Sequence, residues 1–267
     1  MTQPDLPRFR ILGGTQVLNG EEYCPIELSP TPRAMLSVLL LNVGKEVSRS
    51  RLAELIWNPD ERPRGVNKTL NTHAHRARAL LRQIGISTAL IGSRTGFRLN
   101  VQARDIDFHR SRRLGERAAC MAKMTMYLPA VSLYRTALDS WGGVVLPDLD
   151  TDPGIQLRRR VDEIQFRMRL GLLSSQIELQ QFADVLREVD RLSADRGRDP
   201  DLLHLRLRGL HGLGRTDDLR REYLDYAEHY RSASGRAFVG QAARFYDEIS
   251  SRSAHRVQER ITWNRYS

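Results

Sequence analysis

Between Arg62 and Arg104 the chain carries nine Arg or Lys residues and no Asp or Glu in 43 positions. Cations spread through an acid-free run suit the neutralisation of phosphate, because carboxylates would repel it and ordinary solubility gives no reason to exclude them. The run also holds Thr69, Asn71 and Thr72, whose amide and hydroxyls hydrogen-bond base edges or phosphate oxygens. Histidine chemistry is not assembled in the same way. His73 and His75 stand two apart, so on a helix they point in different directions, unlike the pair four apart that binds zinc. That spacing puts His73 at the edge of a core and His75 toward DNA or solvent. The other histidines have no matched carboxylates or cysteines, and neither GxSxG nor a Gly-rich phosphate loop occurs. No catalytic residue, cofactor or metal site is expected. Cys24 and Cys120 lie far apart without ligand spacing and are read as buried free thiols.

The whole chain sets the frame for that run. With 267 residues, 40% hydrophobic and 28% charged, it is expected to fold as one or two globular domains. A net charge of +10 favours an anionic partner, with nucleic acid first, a membrane surface second and an acidic protein third. Only Lys45, Lys68 and Lys123 are lysines among 42 basic residues, a bias that a GC-rich coding sequence can produce, so distribution outweighs the total. The N-terminus lacks a signal-peptide pattern and no apolar run approaches the roughly 20 residues that span a bilayer. The expectation is a cytoplasmic protein with no membrane partner.

The elements that must position the basic residues can be read from local signals. Short strands are predicted over 8–12, 15–18 and 23–28, with turns at Gly13-Gly14 and Asn19-Gly20. A helix follows, capped by Thr31 with Pro32 first, and closed by Gly44. A second helix is capped by Ser48, carries Leu52, Leu55 and Ile56 inward and ends before Pro59. The third runs from about Arg64 to Ile84. At 100° per residue, Val66, Leu70, Ala74, Ala77, Leu80, Leu81 and Ile84 form its core face. Lys68, Asn71, His75, Arg78 and Arg82 lie opposite, with Thr69, Thr72 and Arg76 on the flank. A hairpin from Thr88 onward then brings Phe97 and Leu99 inward, with Ser93, Arg94 and Thr95 at its tip.

Strands, three helices and a terminal hairpin in that order make an α+β winged helix-turn-helix. Its third helix suits the major groove, and Arg94 suits an adjacent minor groove. Ser48 and Arg49 at the start of the second helix, and Arg62 and Arg64 ahead of the third, complete the candidate DNA-binding set.

Beyond 104 the pattern becomes all-α, with helices expected near 108–123, 128–141, 154–180, 182–196, 200–213, 215–233 and 236–252. An echo at an offset of 34 residues pairs Leu173 with Leu207, Leu179 with Leu213, Val185 with Leu219, Val189 with Tyr223 and Ser175 with Gly209. That period belongs to tetratricopeptide-like helical hairpins, which serve as docking or oligomerisation surfaces. Trp57 and Trp141 are read as packing residues at helix ends. The domains are drawn as 1–104, 105–252 and a tail over 253–267.

On the segments RFRILGG, LSPTPRAMLSVLLLNVGKEVSRSRLAELIW, LNTHAHRARALL, GFRL, AVSLYRTALDSWGG and GLGRTDDLRREYLDY, the chain resembles the Streptomyces antibiotic regulatory protein (SARP) family of transcriptional activators. The resemblance covers roughly residues 8–250. It implies an OmpR-type winged helix joined to a bacterial transcriptional activator domain. It also implies binding to direct repeats of double-stranded DNA near biosynthetic promoters, as a dimer or tandem pair, and recruitment of the RNA polymerase holoenzyme through its sigma subunit. Asn71, Thr72, His75, Arg76 and Arg78 fall on the family's recognition helix and Ser93 to Phe97 on its wing. Phe97 replaces a more usual Tyr, His73 and His75 replace aliphatic or hydroxyl residues, and residues 232–250 lack the family's acidic-Gly-Pro pattern. No GxxxxGK[ST] stretch is present, so the expectation is a small, ATP-independent member. A second reading is a helical-repeat adaptor for a protein partner, with a nonspecific basic N-terminal domain.

Overall fold

The computed structural model describes residues 6–86 and 89–263, with side chains through Arg252. Thr88, where the hairpin was expected to begin, lies outside the described residues. The chain divides into two compact units, Met1–Cys120 with Ser132–Arg169, and Met121–Val131 with Leu170–Ser267.

The first unit opens with an antiparallel sheet of β1 (Phe9–Arg10), β2 (Gln16–Asn19) and β3 (Glu22–Pro25) in sequential order. Helix α1 (Pro30–Leu41) follows; Ser29 is its N-cap, so it starts ahead of the expected Thr31 cap. Both Pro30 and Pro32 fit because the first turn needs no N–H donors. A strand not foreseen, β4 (Glu46–Ser48), precedes α2 (Arg49–Ile56), whose first turn is capped by Ser48 Oγ accepting from Arg51 N at 3.2 Å. Then come α3 (Val66–Gln83) and the hairpin of β5 (Leu90–Gly92) and β6 (Gly96–Leu99). The second sheet has the order β4-β6-β5, so the wing is anchored on β4. A Cβ on Gly96 would sit 2.4 Å from the Val47 carbonyl oxygen, so only glycine allows this pairing.

This core continues into the chain beyond residue 104. Ile106 just ahead of α4 (Asp107–Lys123), Phe108 in its first turn, Val145, Leu146 and Leu149 from the loop after α5 (Tyr127–Leu138), and Val161 of α6 (Asp152–Glu178) pack in one cluster with α1, α2, α3 and both sheets. Polar ties reinforce it. The buried Asp107 carboxylate accepts from the backbone N–H groups of Ile11, Leu12 and Phe108 at 2.7–3.1 Å. Arg33 grips Asp148 through two bonds of 2.8 and 2.6 Å, and Thr151 Oγ1 lies 3.1 and 3.0 Å from the carbonyls that end α2, Glu54 and Leu55. Gly142 N donates to Leu12 O at 3.1 Å, and a Cβ on Gly13 would lie 1.8 Å from Gly142 O. Trp141 is half-buried and donates to Ser111 Oγ at 2.8 Å.

The second unit is helical, built from the end of α6 with α7 (Phe182–Arg196), α8 (Pro200–Gly212), α9 (Thr216–Ser234) and α10 (Gln241–Trp263). The 34-residue echo corresponds to successive helical hairpins. Leu173, Leu207, Val185, Leu219 and Val189 are all buried, and Tyr223 is partly so. Gly209 and Gly212 allow α7 to approach closely, with Leu186 and Phe182 occupying the space that side chains would need. Leu179 and Leu213 sit at hairpin ends instead, and Leu213 is 45% exposed. Helix α10 begins at Gln241, not near 236, because Gly235 closes α9 in the left-handed conformation; it stays helical to Trp263, beyond the expected start of a tail.

The cysteines depart from expectation. Both are free thiols, but Cys24 is half-exposed on the edge strand β3 and Cys120 is exposed on α4, which turns Ser111, Gly115 and Ala118 inward instead.

Candidate nucleic-acid interface

Helix α3 turns Leu70, His73, Ala74, Ala77, Leu80 and Leu81 into the core and leaves Lys68, Asn71, Thr72, His75, Arg76 and Arg82 exposed. Val66 and Ile84, at its two ends, are only half-buried. The hydroxyls of half-buried Thr69 and exposed Thr72 donate back to Gly65 O and Lys68 O at 3.2 and 3.1 Å, so each offers its oxygen as an acceptor. Arg62 and Arg64 are exposed just ahead of the helix.

His73 takes the inward place that its spacing allowed. Its ring lies 5.7 Å from that of half-buried Trp57, and neither ring nitrogen has a hydrogen-bond partner. Burial, reinforced by the Arg76 charge, holds its pKa below the ordinary histidine value. The ring is therefore a neutral packing group.

Arg78 and Arg49 are placed differently from a free DNA-contacting side chain. Arg78 is half-buried and donates from Nε to Leu90 O at 2.9 Å, which ties α3 to β5. Gly92 makes room for it, since a Cβ there would lie 3.1 Å from Arg78 Nη2. Arg49 donates to Asn71 Oδ1 at 3.0 Å, Ser93 O at 2.8 Å and Arg94 O at 3.2 Å. Its guanidinium also stands 4.5 Å from the centre of the Phe97 ring. One side chain at the start of α2 thus links the third helix to the wing, with each of its three guanidinium nitrogens donating inside the fold.

The wing itself is a tight turn. Ser93 N donates to Gly96 O at 2.8 Å, while Ser93 Oγ accepts from Thr95 N and Gly96 N at 3.1 and 2.9 Å. Thr95 Oγ1 donates to Glu46 Oε1 at 2.6 Å, which anchors the tip on β4. Arg94 stands exposed at that tip. Exposed Ser48 caps α2 and lies 3.1 Å from Ser50 Oγ. Sequence reasoning missed Glu46 and the bracing role of Arg49. The alternation Glu46-Val47-Ser48, with only Val47 buried, was the available signal for β4.

The arrangement presents cations and amide or hydroxyl groups on one helix face beside a projecting arginine. Cations of this kind are able to pair with phosphates, and amide and hydroxyl groups to hydrogen-bond base edges. Among the described residues no group of His, Cys, Asp and Glu side chains gathers to hold a metal ion, and no helix is long and apolar enough to cross a membrane.

Comparisons with known proteins agree with this architecture. Residues 21–97 match the family model "Transcriptional regulatory protein, C terminal", and residues 106–236 match "Bacterial transcriptional activator domain". Regulatory protein AfsR of Streptomyces griseus is 24% identical over 221 residues, covering 83% of this chain but only 22% of AfsR. Regulatory protein DnrI of Streptomyces peucetius is 27% identical over 214 residues, covering 74% of this chain and 75% of DnrI. The solved structure of Mycobacterium tuberculosis EmbR in complex with a low affinity phosphopeptide shares the fold, with a TM-score of 0.83 at 20% identity over 91% of this chain and 65% of EmbR. With both domain matches in this order and these regulators as relatives, the chain belongs to the SARP family of transcriptional activators.

Proposed function

We propose that this activator reads direct repeats in promoter DNA through α3, with the wing on the flanking minor groove. The observation that carries the reading is the acid-free exposed face of Lys68, Asn71, Thr72, His75, Arg76 and Arg82 with Arg94 beside it. Arg76 and Asn71 lie on the outer face, where they reach a guanine or adenine edge, and Lys68, Arg82, Arg62 and Arg64 neutralise phosphates. Arg49 and Arg78 hold the reading head in shape. Two copies side by side on short repeats would bring their helical units to one stretch of promoter and recruit RNA polymerase through sigma. Membership of the SARP family favours a biosynthetic gene cluster as target and the cytoplasm as workplace.

The test is selection of bound sequences from random duplexes with the purified chain at physiological salt. The expected result is a pair of direct repeats spaced by about one helical turn, roughly 10–10.5 bp. Retained DNA with no enriched motif would reduce the surface to a nonspecific one. No retention would leave the helical-repeat adaptor as the better reading.

A further inference from the structure

A pocket of about 350 Å³ opens in the first unit where the α1–β4 loop, α4 and α6 meet, and no α3 residue lines it. Phe108 and Val161 are almost fully buried and, with half-buried Leu157, give it an apolar floor. Lys45, Arg112 and Arg160, one from each of the three elements, stand exposed on its rim. No carboxylate is among its lining residues. The charge pattern is unlike the second unit, where Arg206 pairs with Asp190 at 2.7 Å and Arg208 with Glu178 at 2.6 Å. Arg112 does meet Glu116 at 3.4 Å, but that pair is exposed, with side chains 50% and 67% accessible, and so is easily exchanged for another anion. Glu163, on the same helix as Arg160, is engaged by Arg167 at 3.2 Å. His109 completes one wall and is held by Leu40 O at 3.0 Å from its Nε2.

Three cations drawn from separate elements onto one apolar hollow repel each other unless an anion lies between them. The volume falls within the range of small-molecule sites, which combine an apolar lining with a few convergent polar groups. We propose that this pocket binds a small organic anion with an apolar body, such as an aryl or medium-chain carboxylate. The body covers Phe108, Leu157 and Val161, and the acid group bridges Lys45, Arg112 and Arg160.

The experiment is a fluorescence titration of the full chain, without DNA, using 1-anilinonaphthalene-8-sulfonate as probe and 2-naphthoate as competitor. Saturable one-to-one binding is expected, displaced by 2-naphthoate. It should weaken about tenfold in Lys45→Glu and in Arg160→Glu, since each removes one charge-assisted contact. Both positions are exposed, so the variants should melt like the parent. Leu157→Trp, which fills the hollow, should abolish binding. No saturable binding, or binding unchanged in both charge reversals, overturns the proposal. Loss of binding in Leu128→Glu instead would assign the probe to the exposed Met124, Met126 and Leu128 and also overturn it. Because DNA is absent throughout, the outcome is independent of the promoter-binding reading.

Discussion

Arg49 donates from Nη1 to Asn71 Oδ1 at 3.0 Å, and so fixes which end of the Asn71 amide is left for DNA. With the oxygen engaged and the residue exposed, the Nδ2 hydrogens remain as donors. Arg49→Ala frees that amide and also removes the bonds to the wing carbonyls of Ser93 and Arg94. DNA affinity should fall by about 1–3 kcal/mol, as for loss of hydrogen bonds to a charged group. Hydrogen exchange at Ser93–Gly96 should accelerate in free protein. Weakened binding with unchanged exchange would mean that Arg49 touches DNA directly.

Arg94 and Arg76 should separate by salt. If Arg94 neutralises one phosphate, Arg94→Ala lowers the slope of log affinity against log salt by roughly 0.9 and weakens all sequences alike. Arg76→Ala should instead cost about 1–3 kcal/mol mainly on the preferred site, relaxing one position of the consensus. Anisotropy titrations on specific and scrambled duplexes distinguish these outcomes. Equal losses on both duplexes for Arg76→Ala would demote it to a phosphate contact.

Asp107 should give the fold a pH dependence. Burial pushes its carboxyl up to about 6 despite the backbone bonds it accepts from Ile11, Leu12 and Phe108. A carboxyl raised in the folded state contributes stability that is present below the unfolded value near 4 and is lost as pH rises through about 6. That loss should be on the order of 3 kcal/mol. Urea melts of wild type from pH 4 to 6.5 should show the decline, and Asp107→Asn should lack it. Parallel profiles for the two proteins would refute the assignment.

His73→Leu should stabilise the winged helix by about 1–2 kcal/mol, because two buried ring nitrogens without partners are replaced by apolar surface. Burial lowers the histidine pKa, so its contribution is present above the ordinary value and is lost as pH falls through the folded one. The advantage of leucine should therefore grow toward acid pH in thermal melts. A destabilised variant would point to a role for the tilted Trp57–His73 ring pair that leucine cannot fill.

Much of this fold was legible because its signals are local. The three-and-four spacing of Leu70, Ala74, Ala77 and Leu81 fixed the inward face of α3 without reference to any neighbour. Gly13-Gly14 and Asn19-Gly20 marked the turns of the first sheet in the same way. What escaped were relations set by distance in sequence. β4 is three residues long and exists as a strand because β6, about fifty residues later, pairs with it. Arg78 and Arg49 fall where a wheel or a helix start suggests DNA contact, and their bonds from Arg78 Nε and Arg49 Nε and Nη2 to carbonyls of the later hairpin are not visible in that spacing. The cysteines were misjudged because burial of a small thiol depends on which face its element turns inward, and composition does not carry that.

The backbone contact at Gly13 and Gly142 bears on how such regulators can be recombined. With no room for even one methyl group between them, the reading head and the loop after α5 are fitted to each other atom by atom. Exchange of specificity between relatives by a crossover near residue 105 would join mismatched halves of one core. A working chimera must inherit Gly13 with the Gly142 loop, Asp107 with the Ile11–Leu12 backbone, and Arg33 with Asp148 from a single parent, which moves the permissible seam toward Arg169.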